Sequence, residues 1–174
     1  MRRALPLLVL GFAVHAAPAQ AAGCAGARAV PSAHNVAKIR SATLCLLNQQ
    51  RHARGLPALR GNAKLQRAAH GFSARMVRER FFDHTAPDGT TFDQRITAAG
   101  YSRFRALAEN IAWGSGAQST PLRIVDIWMH SPGHRRNILD GTLRDIGIGI
   151  VPGAPLDTGG QSAATYTTDF GRRG

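Results

Sequence analysis

The residues able to do chemistry are few and widely spaced. Of seven histidines, His15 falls in an N-terminal apolar stretch, which leaves His34, His52, His70, His84, His130 and His134. Imidazole changes charge near neutral pH and is the commonest metal ligand. There are only two glutamates, Glu79 and Glu109. Glu79 stands among Arg75, Arg78 and Arg80 at helical spacing and reads as an intrahelical ion-pair partner. Glu109 lies between Leu107-Ala108 and Ile111-Ala112. A carboxylate carried into such surroundings is costly unless paired, so a partner is expected. The neighbouring Asn110, Trp113 and Gly114-Ser115-Gly116 imply a tightly shaped corner around it.

His134 follows Ser131-Pro132-Gly133, a break that places its imidazole near a helix start. His130 is four residues earlier, a metal-binding spacing only on a continuous helix, and Pro132-Gly133 argues against one. No His-Glu-x-x-His, Cys-x-x-Cys, phosphate-cradling glycine loop or Gly-x-Ser-x-Gly elbow occurs. His34 belongs to a loose N-terminal segment, His52 to the exposed end of a helix and His70 to a helix face. No ligand role is expected of these three.

The elements that must position these groups run helices first, strands last. Ile39, Ala42, Leu46 and Leu47 recur at helical steps from about Val36 to Arg54, and Gly55 with Pro57 ends the pattern. A second helix is predicted from Ala63 to Arg80, with Asn62 as its N-cap. Pro87-Asp88-Gly89 makes a turn, and a short helix from Phe92 to Ala99 stops at Gly100. Leu107 to Ala112 reads as a strand or extended segment. Ser119-Thr120-Pro121 opens a helix through Leu122, Val125 and Met129. The period then changes: Ile146, Ile148 and Ile150 alternate with Gly147 and Gly149. A Pro/Gly-rich loop from Pro152 to Gly160 follows, and a strand runs from Ala164 to Phe170. The glycines leave room for a close neighbour. Trp113 and Trp128 are expected to be core anchors. Helices around a small, mainly antiparallel sheet make an α+β domain.

The length of 174 residues with 44% hydrophobic content argues for one domain and against disorder. Met1-Arg2-Arg3, the apolar run Ala4 to Val14 and Ala19-Gln20-Ala21 form a secretory signal peptide over residues 1–21. Residues 22–35 then make an N-terminal segment and 36–171 the domain. No later run reaches the roughly 20 residues of a membrane span. The formal charge of +12 falls to +10 without Arg2 and Arg3. With scattered arginines and no interleaved stacking aromatics, a solvated basic face is favoured over a polyanion surface, and no specific nucleic acid is expected. An even cysteine count in an exported chain favours a Cys24–Cys45 disulfide. The alternatives are a buried free Cys45 and lipid attachment at Cys24 after Ala21-Ala22-Gly23.

The series Leu46-Leu47-Asn48-Gln49-Gln50-Arg51, Gly55-Leu56-Pro57-Ala58-Leu59, Phe82-Asp83-His84-Thr85-Ala86-Pro87-Asp88-Gly89, Ala108-Glu109-Asn110-Ile111-Ala112-Trp113-Gly114, the run from Trp128 to Leu139 and Ile146-Gly147-Ile148-Gly149 resembles the bacterial branch of the CAP superfamily. That superfamily takes its name from cysteine-rich secretory proteins, venom antigens and plant pathogenesis-related proteins. The resemblance covers about Ile39 to Phe170. It implies an α-β-α sandwich with a single cleft, secreted or envelope-associated members, and a cleft centre of two histidines and two glutamates. Matched by motif, His84 is the first histidine, Glu109 the glutamate of the Glu-Asn pair, with Asn110 beside it, and His134 the second histidine. Ser131 stands where eukaryotic relatives carry the other glutamate.

Such a set admits several readings. Two imidazoles and a carboxylate with an open position are the ligand set of catalytic zinc, so His84, His134 and Glu109 are candidate ligands for Zn2+ or another divalent cation. A binding module would use the cleft to hold a lipid, a sterol-like molecule or an envelope glycan. A hydrolase would pair Ser131 with His134 and needs an orienting acid and oxyanion donors. A structural network would leave function to the outer surface. The binding module is favoured, and a monomer is expected.

Overall fold

The computed structural model describes residues 23–174, so the signal-peptide reading of residues 1–21 lies outside the described residues. Helix α1 spans Val36–His52, a two-residue strand β1 Arg60–Gly61, α2 Ala63–Glu79 and α3 Phe92–Ala98. Strand β2 runs over Phe104–Ser115 and a 3-10 turn over Gly116–Ser119, followed by α4 at Pro121–His130 and α5 at Pro132–Leu139. Strands β3, Asp145–Pro152, and β4, Ala163–Arg173, complete the chain. No helix among the described residues is long and apolar enough to cross a membrane.

The sheet order is β1-β3-β4-β2, antiparallel except where β1 meets β3. It separates two helical layers. On one face Ile146, Ile148 and Ile150 alternate inward and pack with Tyr166, Phe170 and the fully buried Trp128 beneath α1, α4 and α5. On the other face α2 lies almost on the backbone of β3. A Cβ on Gly147 would stand 2.0 Å from the carbonyl carbon of Leu65, and one on Gly149 would stand 2.2 Å from that of Ala69. The glycine alternation is therefore a packing device: isoleucines fill one layer and bare backbone admits a helix on the other.

Local chemistry explains the ends. Asn62 Oδ1 accepts from the backbone N–H groups of Lys64 and Leu65, capping α2. Pro121 opens α4 at the first helical position, where its missing N–H costs nothing. Ser131 ends α4 and precedes α5, with extended backbone at φ −95°, so His130 and His134 belong to two helices. The buried guanidinium of Arg51 donates to the carbonyls of Pro57, Ile138, Asp140 and Leu143, tying the end of α1 to the end of α5.

Cys24 and Cys45 form a disulfide. A separation of 21 residues corresponds to about 3 kcal/mol in the chain-entropy model. The bond engages the Cys24 sulfur, which a lipid anchor would also need. Two expectations are corrected. Strand β2 is twelve residues long, double the apolar run, because pairing with β4 carries its polar ends into the sheet. Trp113 is half-buried at the end of that strand rather than a core anchor.

Candidate functional site

Strand β2 is an edge strand, and two of its outer carbonyls are taken by side chains. Trp128 Nε1 donates to the Ile111 carbonyl at 3.1 Å, and Asn137 Nδ2 donates to that of Glu109, also at 3.1 Å. Asn110, fully buried, donates to the His134 carbonyl at 3.2 Å and accepts from Asn137 at 2.9 Å. Asn110 thus fixes α5 and the histidine it carries. Its neighbour Glu109 points to the opposite face of the sheet, as strand alternation requires.

There Glu109 finds the partner its surroundings demand, and a second. His84 Nδ1 lies 2.8 Å from Oε1, and Arg95 Nη2 donates to Oε2 at 2.7 Å. The loop between α2 and α3 delivers His84. Thr85 N–H bonds the Asp83 carboxylate, the Pro-Asp-Gly turn closes with Gly89 at φ +84°, and Asp88 pairs with Arg75 on α2 at 3.0 Å. Arg95 sits on α3, donates to the Thr90 and His84 carbonyls, and lies over the Phe72 ring at 3.3 Å. The Glu109 side chain is 1% exposed, that of Arg95 11% and that of His84 49%. A buried ion pair therefore carries one imidazole out to solvent.

A second carboxyl, which the sequence does not single out, lies against this pair. Asp169 is opposite Glu109 in the β2–β4 register. Because the Glu109 carbonyl faces the outer edge, the two residues form a non-hydrogen-bonded pair, the closer of the two antiparallel spacings. Asp169 is 1% exposed, and its Oδ1 has no donor within the chain. Burial first, then the charge and hydrogen bond of Glu109, push its pKa well above the ordinary range against the pull of Arg95. A neutral Asp169 supplies the proton that the pair needs.

The sign follows. A folded pKa above the unfolded value of about 3.9 means that the stability Asp169 contributes is full at low pH and is lost as pH rises toward the folded value. Asp169→Asn keeps a donor to Glu109 and cannot ionise. Its melting temperature is expected to gain on wild type between pH 4 and pH 8, by about 2–4 °C per kcal/mol of relative stability. A difference that stays flat with pH contradicts a neutral Asp169.

His134 is half-buried on α5, and its Nδ1 is buried without a partner in the chain. Burial first and then the charge of His84 lower its pKa, which favours the neutral ring. Ser131 lies at the α4–α5 junction, but its hydroxyl makes no bond to either imidazole among the described residues. His130 is exposed and bonds the Asp126 carbonyl, while His34, His52 and His70 are exposed elsewhere. Glu79 pairs with Arg75 and Arg78.

The donor set does not suit a divalent metal as arranged. Both Glu109 oxygens are engaged, one of them by a guanidinium standing where a cation would. Among the described residues no group of three or more His, Cys, Asp or Glu is placed to hold an ion.

Two helical layers on a four-stranded sheet, stapled by a disulfide, make a single-domain α+β sandwich. The chain belongs to the cysteine-rich secretory protein family, CAP, whose model matches residues 44–168. Uncharacterized protein YkwD of Bacillus subtilis is 37% identical over 114 residues, which are 65% of this chain and 42% of that protein. An extracellular SCP-domain protein of Bacillus anthracis superposes with a TM-score of 0.62 at 23% identity, covering 79% of this chain and 44% of that one. An outer surface protein of Borrelia burgdorferi gives a TM-score of 0.61 at 23% identity, covering 74% of this chain and 87% of that one. The chain thus spans under half the length of the first two relatives.

Proposed function

We propose that this is a secreted CAP-domain binding module. Its cleft presents His84 and His134 to the hydroxyl groups of an envelope glycan or of a lipid head, without chemistry on the ligand. One observation carries the reading: both Glu109 oxygens are engaged within the chain, so the imidazoles are the polar groups left to meet a ligand. With Nδ1 of His84 on Glu109, the other ring nitrogen of this half-exposed imidazole is the one left to meet a ligand. The extracellular and outer-surface proteins that share the fold, together with the disulfide, support export.

The test is calorimetric titration in chelator with soluble chains of N-acetylglucosamine and, separately, a sterol. Saturable binding to one of them is expected, weakened at least about tenfold in His84→Gln and in His134→Leu, the loss of one hydrogen bond to a buried polar group. No saturable binding to either, or binding indifferent to both substitutions, contradicts the reading.

The Glu109–His84 contact also favours a second reading, a hydrolase in which the carboxylate orients an imidazole base. Turnover of a chromogenic ester that is lost in His84→Gln and in Glu109→Gln would support it, and no turnover by the wild type counts against it.

A further inference from the structure

The topology gathers cations at one end of the sheet. Strand β1 begins with Arg60 opposite Asp145, the first residue of β3. Strand β4 ends there with Arg172 and Arg173, and β2 begins there, Phe104 pairing with Arg173. Arg103 and Arg105 flank Phe104, and Lys64 stands in the first turn of α2. Arg60, Lys64, Arg103, Arg105 and Arg173 are all exposed. The one acidic side chain on these strand ends is Asp145, which accepts from Tyr101 at 2.8 Å and reaches only Arg173, at 3.8 Å. The other four exposed cations form no ion pair among the described residues.

This end is also shaped. Arg103 has φ +56°, and its carbonyl accepts from Gly174 N–H at 2.8 Å, locking the start of β2 to the end of β4. Phe104 is 37% exposed and stacks on the buried Tyr101 with ring planes 10° apart. Beside it, Lys64, Arg103 and Arg173 line a cavity of about 330 Å³. An aromatic ring held rigidly between guanidiniums matches an interface where phosphates lie above glycerol and acyl chains. A nucleic-acid strand would instead call for successive stacking platforms, and this end has one exposed ring.

We propose that this end of the sheet is a docking surface for an anionic lipid membrane: Phe104 enters the interfacial layer while Arg103, Arg105 and Lys64 meet lipid phosphates. The surface is separate from the histidine cleft, so it stands or falls independently of the ligand bound there.

The test is co-sedimentation with phosphatidylcholine vesicles containing about a third phosphatidylglycerol, against pure phosphatidylcholine, at about 0.1 M salt. Binding to the anionic vesicles alone is expected. It should fall at least about tenfold in Arg103→Glu/Arg105→Glu, but less than about threefold in Arg123→Glu/Arg136→Glu, which makes the same charge change on α4 and α5. Phe104→Ser should also weaken vesicle binding severalfold while leaving any binding of soluble polyphosphate unchanged. Melting curves of each variant check that it is folded. No binding to anionic vesicles, or equal losses in the two charge-reversal variants, overturns the proposal. So does indifference to Phe104→Ser, or tighter binding to a single-stranded oligonucleotide than to vesicles.

Discussion

Gly147→Ala is expected to cost at least about 4 kcal/mol, enough to leave little folded protein at ambient temperature. The new methyl carbon would sit 2.0 Å from the Leu65 carbonyl carbon and 2.2 Å from the Gln66 nitrogen. Both are backbone atoms of α2, so no rotamer change relieves the contact, and the helix must lift off the sheet. Lifting it would also unseat Phe72, the floor under Arg95. Gly71, within α2 itself, provides the contrast. A Cβ there meets nothing within 4 Å, and Gly71→Ala should stabilise by about 0.5–1 kcal/mol through helix propensity. Urea unfolding of both variants checks the pair of signs, and a Gly147→Ala protein of wild-type stability would refute the described α2–β3 contact.

The second large effect is expected at Glu109→Leu. Removing the carboxylate leaves the Arg95 guanidinium, 11% exposed, without its counter-charge, and such losses run to about 3–5 kcal/mol. Asp169 moderates the outcome. With Glu109 gone, the repulsion that helps keep Asp169 neutral disappears, so it can ionise and face Arg95. A loss of about 3 kcal/mol is therefore expected for Leu, and less than half of that for Gln, which keeps an acceptor for Arg95. Equal stability of wild type and Glu109→Leu would show that the ion pair does not hold the loop and α3 together.

Much of the fold is legible in the sequence because its signals are local. The α2 helix begins where Asn62 says it should, and Pro132-Gly133 separates α4 from α5. The Ile-Gly alternation of β3 announces both its strand period and its close neighbour. Strand β1 carries no such signal, since Arg60 and Gly61 are two exposed residues defined only by their pairing with β3.

The site divides in the same way. Glu109 stands out as a lone acid in an apolar run, and its need for a partner is readable from that alone. The identity of that partner is not. Arg95 is one of twenty arginines and sits on a short helix of ordinary pattern, brought to Glu109 by the turn at Pro87-Asp88-Gly89. Asp169 carries a signal of the same kind as Glu109, an acid inside a strand of Thr, Tyr and Phe. It can be connected to Glu109 only by a register joining residues sixty positions apart, which periodicity does not provide.

At the centre of the site, both carboxylate oxygens of Glu109 are engaged within the chain, by His84 and Arg95. Long-range proton–nitrogen NMR of the histidine rings, at a pH where they are neutral, tests this most directly. The expected result is that His84 carries its proton on Nδ1, held by Glu109, and that Glu109→Gln shifts the His84 nitrogens while leaving those of exposed His130 in place. A His84 ring protonated on Nε2 and unmoved by Glu109→Gln would contradict it.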